Sequence, residues 1–170
     1  MDPTVVAGIV GAGGVALGAV VSSGVADLTE RRRSREAGLE ATRAELRSTC
    51  AAFTGAVARV RSISYELAQD RSNQDLRSSI ASAIEDARVG CERLRILVAN
   101  SKTQGAARLA LRHAWAVWQE AETGDDPRSD QFPGVTPHER LRSELTLLYI
   151  GVRTELGVPT PEDVFEELTD

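Results

Sequence analysis

Between Pro3 and Ala26 the chain carries no charged side chain, and Arg31, Arg32, Arg33 and Arg35 follow within nine residues. A run of about 24 uncharged residues is enough to cross a bilayer, which takes roughly 20 helical residues at about 1.5 Å each. Basic residues gather on the cytoplasmic side of a span, so the arginines set its direction. The sequence therefore predicts a transmembrane segment at 1–26 and a basic juxtamembrane helix at 27–43. It places the N-terminus outside and residues 27–170 in the cytoplasm. The same four arginines suit anionic headgroups, at about 1 kcal/mol each near the surface.

Three other readings of the run are weaker. A cleavable signal peptide would end well at Gly24-Val25-Ala26, but it wants positive charge ahead of its apolar stretch. Here Met1-Asp2-Pro3-Thr4 comes first and every nearby arginine comes after. Gly11-Ala12-Gly13-Gly14-Val15-Ala16 fits the G-x-G-x-x-A of a dinucleotide-binding turn. That motif requires a βαβ unit, and the residues after Gly24 read as a helix start with no strand. A buried hairpin of a soluble core suits the modest hydrophobicity, since valine, glycine and alanine dominate the run. The same small residues also favour a membrane helix that packs closely. Gly14, Gly18 and Ser22 recur at four-residue spacing, the pattern that lets helix backbones approach in lipid, and they predict a homo-oligomer through the span.

Beyond the run, the chain offers little chemistry. Net charge is −5, which gives no basis for a nucleic-acid partner. Cys50 and Cys91 form no C-x-x-C and no disulfide framework, and both fall on apolar helical stripes as small hydrophobes. Neither His113 nor His138 has an acid three residues before it, as a di-metal bundle would require. His113 is expected on a helix surface beside Trp115 and Trp118. H-E-x-x-H, G-x-S-x-G and G-x-x-x-x-G-K-[ST] are all absent. The reading is of a chain that is not an enzyme, with no catalytic residue, no metal site and no cofactor.

Helical periodicity runs through the remainder. Leu39, Leu46, Cys50, Phe53, Val57, Val60 and Leu67 make one stripe over about Asp27 to Gln69, and Asp70 to Asn73 breaks it. A second stripe, Leu76, Ile80, Ile84, Ala87, Cys91, Leu94 and Val98, spans about Asn73 to Asn100. Asn100 to Gly105 punctuates, and a third helix carries Leu111, Ala114, Trp115 and Trp118 over about Ala106 to Glu122. After a Gly/Asp/Pro/Ser loop, Thr136 caps a fourth helix with Pro137 first and Glu139 third. Its apolar face is Leu141, Leu145, Leu148, Val152 and Leu156, ending near Gly157.

These elements predict an all-α fold: an N-terminal transmembrane helix followed by an antiparallel bundle of about four helices. The bundle takes 44–157 and a short acidic helix or tail takes 158–170. Folding back at Ser72 brings Cys50 and Cys91 to similar heights. Trp115 and Trp118 are expected as the bulky core members, and Gly38 as the place where the long first helix bends.

The tail pairs Val164, Phe165 and Leu168 on one face with acidic residues on the other, a pattern suited to docking on an unidentified protein partner, and equally to folding back on the chain's own bundle or pairing with the arginine collar. The leading function is thus a membrane-anchored cytoplasmic interaction or scaffold module. The alternative is an oligomeric membrane-perturbing protein, such as a pore, lysis or defence effector, assembled through the Gly-rich span. A neutral or acidic N-terminus, a Gly/Ala/Val span, an R-R-R-x-R collar and an Ala/Arg/Leu-rich helical domain follow one another here. That layout resembles uncharacterised single-pass membrane proteins of high-GC Gram-positive bacteria. The resemblance implies a membrane location and transfers no activity to any residue.

Overall fold

A computed structural model describes the backbone of residues 3–159 and the side chains of residues 30–159. The described residues form four helices and no strand: α1 (Pro3–Gln69), α2 (Gln74–Leu97), α3 (Ser101–Thr123) and α4 (Pro137–Glu155). The chain divides into two units, Met1–Thr42 and Arg43–Asp170.

In the first unit, α1 is helical through Gly38, where the Thr42 hydroxyl donates to the Gly38 carbonyl at 3.0 Å. Every described side chain from Glu30 to Thr42 is exposed. Leu39, expected on the apolar stripe, is 62% exposed, so burial on α1 begins only at Leu46. Among the described residues no helix is long and apolar enough to cross a membrane. The run from Pro3 to Ala26 predicted to do so, with Gly14, Gly18 and Ser22, lies outside the residues whose side chains are described.

In the second unit the helices run up and down in sequence. Phe53 of α1 lies against Gly90 of α2, and Arg59 reaches Asp86 at 2.7 Å, which sets the two helices antiparallel with Cys50 and Cys91 at similar heights. Arg77 of α2 pairs with Glu122 near the end of α3 at 3.4 Å. Asp126, just beyond α3, meets Arg140 at the start of α4. The core is built largely from Ala56, Ala83, Ala87, Ala106, Ala107, Ala110 and Ala114, with Phe53, Ile80, Leu94, Leu141 and Leu148 fully enclosed among them. Small residues bring helix axes close, and a few large ones fill what remains. Both cysteine thiols are buried, and burial raises their pKa values.

The starts of α2, α3 and α4 each have a chemical cause. The Asn73 side chain accepts from the Asp75 and Leu76 amides, satisfying two donors that the first turn of α2 leaves open. Thr136 and Glu139 form a complete capping box at α4, with Pro137 at its first position. The third helix begins five residues earlier than its sequence suggests. Asn100 is its cap, accepting from the Lys102 amide at 2.8 Å, while the Gln104 amide nitrogen donates back to the Val98 carbonyl at 2.7 Å. These contacts outweigh the roughly 1 kcal/mol that Gly105 costs inside a helix.

Close approach of α3 and α4 rests on Gly151. A Cβ at that position would sit 2.7 and 2.8 Å from the Cγ2 and Cβ of Thr103, which is itself buried. Gly151→Ala is therefore expected to destabilise the fold by about 1–3 kcal/mol, although alanine is the better helix former. Gly55→Ala, where a Cβ meets nothing within 4 Å, is expected to be neutral or stabilising. Paired denaturant titrations of the two variants check the contrast.

Candidate docking groove and basic collar

Between α1 and α4 the bundle leaves an open groove of about 600 Å³. Its cause is local. On α1 the groove face presents Ala51, Thr54, Gly55 and Ala58, small side chains at helical spacing that cannot reach the facing helix. The Thr54 hydroxyl donates to its own helix at the Cys50 carbonyl, 3.0 Å away, so the floor shows no open donor there. From α4 come Leu141, Leu145, Tyr149 and Val152, and from its C-cap Leu156, with Leu145 and Leu156 only partly buried and Tyr149 52% exposed. The surface is apolar inside and basic at its edge. Among the described residues Arg47, Arg61 and Arg153 line it, and no acidic side chain does.

The chain leaves α4 at one end of this groove. Gly157 takes φ +69°, a left-handed conformation that glycine adopts without steric cost. The Gly157 amide donates to the Thr154 carbonyl at 3.0 Å and the Val158 amide to the Arg153 carbonyl at 2.9 Å, the paired bonds of a Schellman turn. The chain then turns back over α4, where Nε of Arg153 donates to the Pro159 carbonyl at 3.0 Å. Val164, Phe165 and Leu168, the residues predicted to dock on a partner, lie just beyond and outside the described residues.

The collar residues Arg31, Arg32, Arg33 and Arg35 are exposed on α1. Successive residues turn by about 100° around a helix, so the four spread over roughly 200° of its circumference rather than forming one narrow stripe. Arg32 pairs with Glu36 at 3.1 Å; at such exposure the pair adds little stability.

A second concentration of charge lies under the α3–α4 loop, and the sequence reading misplaced its central residue. His113 is 2% exposed, not on the surface, with its ring edge-on to Phe132 at 5.5 Å. Arg128 and Arg140 both sit over Phe132, at 5.1 and 4.7 Å from the ring centre. Nη2 of Arg140 donates to both Asp126 carboxylate oxygens at 2.8 Å. Burial alone would raise the Asp126 pKa; hydrogen bonds from Arg140 and the Arg128 amide, with the Arg140 charge, hold it below the usual carboxylate range. For His113, burial and then the Arg140 and Arg128 charges push the pKa down to about 4. The signal was present: His113 shares a helix face with Ala106, Ala110 and Val117, all buried.

This cluster has a measurable consequence. Folded His113 stays neutral down to about pH 4, whereas an unfolded histidine binds its proton near 6.5. The unfolded chain therefore takes up the extra proton between those values, and stability falls as pH drops through that window. Between pH 7.5 and 5.5 the expected loss from His113 is about 1 kcal/mol, rising to about 3 kcal/mol near pH 4. His113→Leu should flatten the dependence of the denaturation midpoint on pH above 5.5.

Among the described residues no group of three or more His, Cys, Asp or Glu side chains is placed to hold a metal ion. No family model, no curated protein and no solved structure matches the chain.

Proposed function

We propose that this chain is a membrane-anchored interaction module, tethered through Pro3–Ala26 and presenting its helical bundle on the cytoplasmic side. The observation that carries the reading is the uncharged run followed by Arg31, Arg32, Arg33 and Arg35, the order that anchors a span and fixes its direction. The groove between α1 and α4 supports the second half of the reading. An apolar floor with a rim of Arg47, Arg61 and Arg153 is matched by an acidic amphipathic helix, whose apolar face fills the floor and whose carboxylates meet the arginines. Such a groove recognises a partner without covalent chemistry, and the bundle needs none.

Fusing residues 1–45 to a soluble fluorescent reporter tests the anchor. The reporter is expected in the membrane fraction, resistant to carbonate extraction, with vesicles that keep an entrapped dye. A soluble reporter would overturn the anchor. Dye leakage would instead favour a membrane-perturbing oligomer built on Gly14, Gly18 and Ser22.

A further inference from the structure

We infer that a cleft between α3 and the loop after it is a binding site for a small aromatic anion, a flat ring carrying a carboxylate or a phosphate. The cleft is about 330 Å³ in volume, and Arg112, Trp115, Ala116, Gln119, Pro127 and Arg128 line it. It shares no residue with the groove between α1 and α4, so the two sites stand or fall separately.

Helical spacing makes one wall. Positions three, four and seven apart share a helix face, which puts Arg112, Trp115, Ala116 and Gln119 on one strip of α3. Ala116 is buried and short, so the strip dips between its longer neighbours. The loop makes the other wall, and it is braced from within. The Arg128 amide donates to Oδ1 of Asp126 at 3.0 Å, and the Asp126 carboxylate is held by Arg140 at 2.8 Å. Walls already in place lose little freedom when a ligand arrives.

Trp115 supplies a surface for the ring. It is 44% exposed, and Trp118 crosses it at 76° with ring centres 5.7 Å apart, steadying the indole without covering it. The arginines supply the charge. Nε and Nη2 of Arg128 donate to Oε1 of Gln131 at 3.2 and 2.8 Å, a neutral acceptor that fixes the guanidinium without cancelling its charge. Its Nη1 is buried and has no hydrogen-bond partner, a cost that an anion alongside offsets. Arg112 is exposed and forms no ion pair among the described residues. Guanidinium forks suit the paired oxygens of a carboxylate or phosphate, and the Gln119 amide adds one more donor and acceptor. A bare phosphate would leave Trp115 uncovered, and an uncharged ring would leave both arginines unmatched. At about 330 Å³ the cleft is near the lower end for ligand pockets, which limits the ligand to one or two rings.

Trp115 and Trp118 are the chain's two tryptophans, so intrinsic fluorescence reports on the cleft. The full chain in nonionic detergent micelles, titrated with phenyl phosphate, is expected to show a saturable change in emission with Kd below about 1 mM. Benzoate should bind within roughly a factor of five, whereas inorganic phosphate and benzyl alcohol should each bind at least about tenfold more weakly. Arg112→Gln should weaken phenyl phosphate about tenfold, and Arg112→Lys less, with the denaturation midpoint unchanged because Arg112 is exposed and unpaired. Trp115→Ala, followed by calorimetry, should weaken it by a similar factor, and Arg61→Gln in the groove should leave it unaltered. Emission that stays unchanged or drifts linearly up to about 10 mM phenyl phosphate would overturn the proposal. So would inorganic phosphate binding as tightly as phenyl phosphate. An affinity that survives both Arg112→Gln and Trp115→Ala would overturn it too, since the ligand would then lie elsewhere.

Discussion

Replacing Asp126 by alanine is expected to cost about 3–5 kcal/mol of stability, the range found when one member of a buried ion pair is removed. Arg140 has only 4% of its side chain exposed and Asp126 only 11%, so water cannot take the carboxylate's place. The guanidinium would remain at the first turn of α4, where the positive end of the helix dipole already disfavours a cation. Phe132 faces it on one side and retains the cation–π contact, which offsets a small part of the loss. His113, next to the same charges, would be still harder to protonate once the Asp126 carboxylate is gone. A domain stable by about 5–15 kcal/mol would lose from about a fifth to all of its stability. Removing the pair together, as Asp126→Ala with Arg140→Met, should recover most of the deficit, because the double variant leaves no charge buried without a partner. Denaturant midpoints of the two single variants and the double variant measure this coupling. Additive losses would show that the pair is not the source of the cost.

A loss of similar size, about 3–5 kcal/mol, is expected for Phe53→Ala. Phe53 is fully enclosed and is the largest such side chain in the core. The core it belongs to is rich in alanines, which cannot swing into a void, so much of the cavity would persist rather than collapse. Gly90 fixes the geometry from the other side: a Cβ there would lie 3.0 Å from Cβ of Phe53 and 3.1 Å from its Cα. Phe53→Leu should cost less than half as much, since it keeps most of the volume. Trp115→Ala, at a residue 44% exposed, is expected to cost far less than Phe53→Ala despite the larger side chain. Thermal melts of the three variants rank them directly.

The comparison of Phe53 with Trp115 shows where periodicity informs and where it fails. Spacing by threes, fours and sevens put Leu46, Cys50, Phe53, Val57, Val60 and Leu67 on one face, and all six are buried. It cannot say how wide a buried face is. On α3 the inward arc takes in Ala106, Ala110, His113 and Val117, and Trp115 falls off its edge while Trp118 is partly covered. Size suggested that tryptophans would be core; an alanine-rich core of closely spaced helices has little room for them. Leu39 failed for a different reason: it continues the stripe into a part of α1 where every described side chain is exposed.

Local chemistry was more legible. Asn73 and Thr136 with Glu139 cap their helices through backbone donors a few residues away, so the relevant information sits in one stretch of sequence. Asn100 was also visible, but Gly105 drew the helix start too far along, because the stabilising Gln104 contact reaches back to Val98, the C-cap of α2. The Asp126–Arg140 pair left a faint trace, a cation in the first turn of a helix, where only a nearby anion makes sense of it. The groove left another. Leu145, Leu147, Leu148, Tyr149 and Ile150 are more apolar residues than a single inward stripe of α4 uses, while α1 offers Ala51, Thr54, Gly55 and Ala58 opposite. That large residues on one helix meet small ones on another is a tertiary fact. It emerges only when α1 and α4 are set side by side.

The central claim is that Pro3–Ala26 anchors the chain with the bundle on the cytoplasmic side. Protease treatment of spheroplasts expressing the full chain with a C-terminal tag, followed by carbonate extraction, tests it most directly. The account predicts that the tag survives in intact spheroplasts, is digested once they are permeabilised, and stays in the carbonate-washed pellet. Recovery of the intact chain in the soluble fraction, or loss of the tag from intact spheroplasts, would contradict it.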